Sequence, residues 1–396
     1  MKPAHYGIAI CVLLSCSPPA TETDAGPLEP DAGQVDAGSG DAGTSPVSAL
    51  LQQHVGSVVS SAPTDPMRCA NAVAVVVTPV ERRVVGFGAR SASDPRPPDE
   101  HSVFQLGSVT KLLTGLALAR LVTTGGAQPG DAVPSHLKSD LSGALLPRGP
   151  SLLALTTHTA GFPSMPDNLR RLPDGGIDPS SPAGGYDRAD LAAYLQGWTP
   201  LDGGYRYSNL GTGLLAIALE DSLDAGSYEG ALRSLVTGPL GLEDTFGQVA
   251  ALDADAGARL VEGHASRQGR WWPARPAEMG VLAGGGEALT TGADLARLLA
   301  ALSGVERGPL EDAVALAFTP VVELSATQHI GYGVVVEHRD GGDVFLKAGN
   351  TPSFSAFIVA QRAPSPLGVA VVAGCGQPFP VDEVALRLFD ALRALR

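Results

Sequence analysis

The chain has 396 residues, 44% of them apolar and 17% charged, which is more than one ordinary hydrophobic core spans and enough to fill two lobes or one large mixed domain. A net charge of −14 repels phosphate-rich surfaces and argues against nucleic acid or an anionic membrane face as a partner. The apolar content and a total of four cysteines exclude collagenous, wholly disordered and disulfide-dense classes.

The first element is an export signal. One lysine, Lys2, precedes the apolar run 8–14, which is too short to span a bilayer. The run ends in Leu13-Leu14-Ser15-Cys16, which resembles the lipobox of bacterial lipoproteins and implies lipidation at Cys16, with the signal ending there. Residues 17–46 carry six acidic side chains, no lysine or arginine, and four Asp-Ala-Gly triplets. Nothing in them could repay the entropy of folding, so they read as a flexible acidic spacer between a membrane anchor and a globular domain. Cys11 leaves with the signal and Cys16 takes lipid, which leaves Cys69 and Cys375. Two cysteines in an oxidising compartment can pair or remain buried thiols, and their spacing leaves both open.

The globular part then runs from 47 to 396. Apolar residues at helical spacing predict a helix over 47–60. Strands follow over 72–78 and 81–88, paired across a Pro79 turn. The middle of the chain reads as helical, with segments over 108–122, 191–196, 212–219 and 293–302, the last preceded by a Thr291-x-x-Asp294 cap. Strands return over 332–337, 344–346, 353–359 and 367–373, and a helix over 381–395 closes the chain. This is an α+β pattern: one antiparallel sheet from strands at both chain ends, with a mostly helical lobe inserted between them. A functional cleft belongs at the seam.

Chemistry concentrates in three places. Ser108-Val109-Thr110-Lys111 opens a helix that is apolar almost all round. Residues three apart share a helix face, so Lys111 lies beside the Ser108 hydroxyl. A lysine on a buried helix loses solvation, its pKa falls, and its neutral amine can act as a base toward the serine. The N-terminal N–H groups of the helix can stabilise an oxyanion, so the set suits an acyl-transfer nucleophile. Ser135-x-x-Lys138 matches the same tetrad but follows Pro134 in a polar loop and is assigned to the surface. Tyr207-Ser208-Asn209 precedes a second apolar helix, and Lys347-Ala348-Gly349-Asn350 ends a short strand where Gly349 permits close backbone approach. Only three lysines follow the signal, and two of them, Lys111 and Lys347, fall in these elements. His158 reads as a structural hydrogen-bonding residue, and Gly284–Gly286 as a loop near the cleft. Trp271 and Trp272 line a pocket or pack between lobes, which the sequence leaves open.

These elements, with Phe104-Gln105-Leu106-Gly107 ahead of the serine, LLALTTHTAG at 152–161, Pro239-Leu240-Gly241-Leu242-Glu243-Asp244-Thr245 and KAGNTPSFSAF at 347–357, make the chain similar to the serine β-lactamase and D,D-peptidase superfamily, in its class C-like branch. The resemblance covers nearly all of 47–396 and implies the following roles. Ser108 would carry the acyl group, and Lys111 and Tyr207 would exchange its proton, with both lysines lowering the phenol's pKa. Asn209 would orient the substrate amide, and the N–H groups of Ser108 and Asn350 would hold the oxyanion, with Gly349 and Lys347 beside them. No cofactor or metal is implied. The family layout sets the first strand beside the last, so Cys69 would meet Cys375 in a disulfide.

Three departures count against dedicated antibiotic hydrolysis. Ala348 stands where relatives carry Thr or Ser, a loss of about 1 kcal/mol for one hydrogen bond. No Gln follows the Thr-Ala-Gly segment, and a short hairpin precedes Lys347 where class C enzymes have a long insertion. The expected protein is an exported, lipid-anchored serine hydrolase acting on cell-wall D-amino-acid peptides or related amides and esters. Peptidoglycan is a candidate partner, and the membrane is met through the N-terminal lipid alone. A class C β-lactamase, an esterase of the same fold and a non-catalytic cell-wall-fragment binder are the alternatives.

Overall fold

The computed structural model describes residues 45–395 except 61–64, 66, 146–148, 174, 179–180 and 202–203. The signal and most of the expected spacer lie outside the described residues. The spacer's expected end shifts slightly, because Ser45 already caps a helix, Pro46–His54, by accepting the Val47 N–H. That helix is shorter than the predicted 47–60. Gly56 tightens the next turn to a 3₁₀ form, Gly56–Val58.

Eight strands form one antiparallel sheet in the order Arg82–Gly88, Asn71–Val77, Leu367–Ala373, Ser355–Gln361, Gly342–Asn350, Val335–Arg339, Gln328–Ile330 and Val322–Glu323. Strands from the two chain ends therefore meet inside the sheet, second and third in that order: Val75 pairs with Ala370, and Ala370 with Ile358. The second, third and fourth strands of that order are buried at every position, as their unbroken Val, Ala and Ile runs require when both faces are covered. On the outer face, Ala74, Val76, Val369 and Val371 pack with the helices Pro46–His54 and Val381–Ala394. On the inner face, Val73, Val75, Ile358 and Val372 join a larger core that continues through the helical lobe. The last strand ends near the first strand's beginning, and there Cys69 and Cys375 form a disulfide.

The lobe's two central helices are Thr110–Thr123 and Asn209–Ser222, both buried on nearly every side. Each starts at an expected motif. Helix Gly292–Ser303 has the expected cap, with the Thr291 hydroxyl accepting the Asp294 N–H, and it lies between the sheet and the lobe. The strand predicted over 344–346 is longer, Gly342–Asn350. Its hairpin pairing with Val335–Arg339 and its full-length pairing with Ser355–Gln361 extend a local pattern that alone supported only three residues.

Candidate active site

Ser108 sits in a single 3₁₀ turn, Gly107–Val109, that leads directly into the helix Thr110–Thr123. Gly107 has φ +53°, and a Cβ there would lie 2.7 Å from the Asn350 nitrogen. A Cβ at Gly349 would lie 2.0 Å from the Leu106 carbonyl and 3.0 Å from the Ser108 nitrogen. Glycine at both positions thus lets the strand Gly342–Asn350 close onto the serine turn, which brings the Ser108 and Asn350 amides to one place. Along that strand Phe345 joins the inner core, while Val344 and Leu346 join the outer one and Ala348 packs at its margin. The objection drawn from Ala348 therefore rests on the family pattern and not on a gap in the inner wall.

Lys111 Nζ lies 3.2 Å from Ser108 Oγ, 2.6 Å from Asn209 Oδ1 and 2.5 Å from the Gly285 carbonyl. Lys111 is fully buried, and that burial, with Lys347 nearby, holds its pKa well below the usual lysine value. A neutral amine has two N–H groups and one lone pair. In that neutral form, with the Asn209 and Gly285 carbonyl oxygens accepting the two hydrogens, the lone pair would turn to the serine hydroxyl. This is the arrangement a general base needs.

Lys347 is buried as well, and burial pushes its pKa down to about 7. Its Nζ stands 5.6 Å from the centre of the Tyr207 ring, and that of Lys111 stands 4.6 Å away. The expected lowering of the Tyr207 pKa by these two cations is not found. Burial raises it, and only a hydrogen bond to Ser108 opposes the rise. The physical reason is that burial penalises charge on both lysines as it does on the phenol, so desolvation rather than their field sets the direction at Tyr207. Burial therefore favours the protonated phenol at Tyr207.

Other contacts were invisible in the sequence. The glycine loop 284–286 is fastened to the serine helix by its threonines: the Thr110 hydroxyl accepts the Ala288 N–H at 2.9 Å, and Thr114 Oγ1 donates to the Gly284 carbonyl at 2.8 Å. This aims the Gly285 carbonyl at Lys111. Glu287, also buried, accepts the N–H groups of Met279 and Val249 at 2.6 and 2.8 Å. Burial outweighs those bonds and pushes its pKa up to about 7. Only the triple glycine hinted at this loop, and a backbone carbonyl has no residue type to announce it.

Asn209 starts the second lobe helix. Its side-chain N–H faces Met165 Sδ at 3.6 Å, in the segment where the expected Gln is missing. The second Ser-x-x-Lys tetrad is on the surface, with Lys138 paired to Asp224 at 3.1 Å. Trp271 donates to the Arg68 carbonyl at 2.8 Å and packs at the outer core, while Trp272 is exposed. Cys16 lies outside the described residues. Among the described residues no group of three His, Cys, Asp or Glu side chains could hold a metal ion.

Comparison with known proteins bears on the fold and the family. A structure of the octameric penicillin-binding protein homologue from Pyrococcus abyssi superposes with a TM-score of 0.67 at 19% identity, covering 88% of this chain and 77% of that one. A class C beta-lactamase superposes with a TM-score of 0.65 at 19% identity, covering 82% and 91%. Both likenesses are of fold. A protein of Yersinia enterocolitica named Beta-lactamase is 32% identical over 163 residues, which is 40% of this chain and 38% of the relative's length. The family model described as Beta-lactamase matches residues 55–393, and the chain belongs to that family.

Proposed function

We propose that this protein is a serine hydrolase that forms an acyl-enzyme on Ser108 and acts on cell-wall peptides ending in D-amino acids or on related amides and esters. The observation that carries the reading is Lys111 Nζ, 3.2 Å from Ser108 Oγ and within hydrogen-bond distance of the Asn209 Oδ1 and Gly285 carbonyl oxygens. A binding protein gains nothing from a neutral base buried beside a serine, because the burial itself is costly.

In this reading Lys111 takes the Ser108 proton as Oγ bonds to the substrate's carbonyl carbon. The Ser108 and Asn350 N–H groups hold the resulting oxyanion. Its collapse breaks the bond to the leaving nitrogen or oxygen, which takes the Tyr207 phenol proton, and the Lys111 ammonium reprotonates Tyr207. Water then repeats the sequence on the acyl-enzyme and releases the acid. Asn209 holds the substrate amide, and Lys347 offers charge to an anionic group.

The missing Gln and the short hairpin favour peptides, amides and esters over a dedicated antibiotic hydrolase. The Yersinia relative supports the β-lactamase alternative. Export and lipid attachment at Cys16 belong to the same reading, supported by the signal-like start and by a disulfide suited to an oxidising compartment. The test is an intact-mass time course with benzylpenicillin and with p-nitrophenyl acetate, in which Ser108→Ala should lose acylation by about 10⁴-fold or more. Acylation retained in that variant would overturn the mechanism. A long-lived penicillin adduct would favour a peptidase, and rapid drug loss a β-lactamase.

A further inference from the structure

His158 is buried, yet no step above uses it. It lies at the end of the helix Leu152–Thr156 in the left-handed region, with φ +60°, a conformation few residues other than Gly, Asn and Asp adopt without cost. Two of its atoms reach the same short segment. Its backbone carbonyl accepts the Arg206 N–H at 2.7 Å, and its Nδ1 accepts the Ser208 N–H at 3.3 Å. The residue between those two donors is Tyr207. The imidazole lies against the Tyr207 ring, with centroids 4.7 Å apart, and edge-on to Tyr205 at 5.8 Å. Its Nε2 has no hydrogen-bond partner among the described residues.

We infer that His158 is a positioning residue for Tyr207: its neutral imidazole, with the proton on Nε2, accepts the Ser208 N–H and so fixes the backbone from which the phenol reaches Ser108. This rests on the acyl-enzyme reading in giving Tyr207 a proton to carry. The geometry sets the tautomer. Nδ1 faces a backbone donor, so a proton placed there would set two donors against each other. Burial also holds the imidazole well below its ordinary pKa. An unpartnered Nε2–H in a buried place is a standing cost, which the chain tolerates because the acceptor on the other side of the ring is needed. Ser208 in turn accepts the Gly211 N–H at 2.8 Å as the cap of helix Asn209–Ser222 and donates to the Pro163 carbonyl at 2.6 Å. One histidine therefore secures the junction at which both Tyr207 and Asn209 are presented.

The test separates the acceptor from the backbone shape. His158→Asn keeps an acceptor atom at the δ position and suits positive φ, whereas His158→Gly suits positive φ but has no acceptor. With p-nitrophenyl acetate and the full chain, Asn should hold kcat within about 3-fold, and Gly should lose about 100-fold in kcat with KM little changed, as expected for a misplaced proton carrier. Equal loss in both variants, or a loss carried by KM, would overturn the proposal.

A second arm needs no turnover: long-range ¹H–¹⁵N spectra of the wild type should show Nδ1 unprotonated and Nε2 protonated from about pH 5 to 8, a range that spans the ordinary histidine pKa. An imidazole that titrates there, or holds its proton on Nδ1, would overturn it. If Ser108→Ala retained turnover, the acyl-enzyme reading would fail instead, and the spectra would still decide how His158 is held.

Discussion

On the outer face of the sheet, Ala74, Val76, Val369 and Val371 meet Leu388, Phe389 and Leu392 of the closing helix and Val47, Leu51 and Val55 of the first, with the disulfide at the margin. On the inner face the same strands meet the helical lobe, and buried ionisable side chains gather on that side: Lys111, His158, Glu287, Asp294 and Lys347. The outer layer follows the general rule that apolar surface is removed from water and the space is filled. The inner seam departs from it at particular positions, and each departure carries a desolvation cost. A stability reservoir on one side lets the other hold charged and polar groups in unfavourable places.

That contrast can be broken from the outer side first. Phe389 is 0% exposed in the outer cluster, so Phe389→Ala should lower unfolding free energy by about 4 kcal/mol through transfer and cavity terms. Urea titration would measure the loss, and the acylation rate of the folded fraction should stay unchanged. A slower rate would mean that the outer layer also shapes the site. Replacing both Cys69 and Cys375 by Ala removes a link across a sequence separation of 306, and the loss should be about 3 kcal/mol. The same two readouts apply.

From the inner side the sign reverses. Lys347 has its pKa pushed down to about 7 from an ordinary 10.5, so the unfolded chain binds the proton more tightly. Wild-type stability therefore rises with pH between about 7 and 10.5, and the full penalty is present below 7. Lys347→Met should raise unfolding free energy by about 3 kcal/mol at pH 6, with the gain fading toward pH 10, while acylation falls. Thermal melts at the two pH values measure this, and a pH-independent gain would show that packing, not charge, was responsible.

The smallest effect belongs to Glu287, whose pKa is pushed up to about 7 from 4.5. Its proton is held more tightly in the folded state, so this contribution to stability is present below about pH 4.5 and lost as pH rises through 7. Glu287→Gln should remove that slope, improving relative stability by about 2 kcal/mol between pH 4.5 and 8. A variant whose stability falls in parallel with the wild type across that range would show that the carboxyl does not titrate there.

Much of the site was legible because it is local. The three-residue spacing of Ser108 and Lys111 on an apolar helix, the Tyr207-Ser208-Asn209 triplet before another, and glycine at 349 are each read within a few residues, where helix and strand periodicity hold. The pairing of Cys69 with Cys375 needed the family layout, since a separation of 306 residues gives local pattern nothing to act on. The Gly285 carbonyl could not be read at all: every residue has one, and only the threonines of the serine helix, 170 and 178 positions from their partners, decide where this one points.

The amino-acid sequence by itself determined the candidate nucleophile, the residue types around it, the core pattern of the strands and the helical character of the lobe, because each depends on neighbours along the chain. Tertiary structure alone decided how far each ionisable group is removed from water, and so the direction in which its pKa moves. The reversal at Tyr207 shows why: the sequence supplies two lysines and a phenol, but whether those lysines carry charge depends on how completely the folded chain removes water from them. Desolvation is a property of all the surrounding atoms at once, and it exists only after the two ends of the sheet and the lobe have closed around the site.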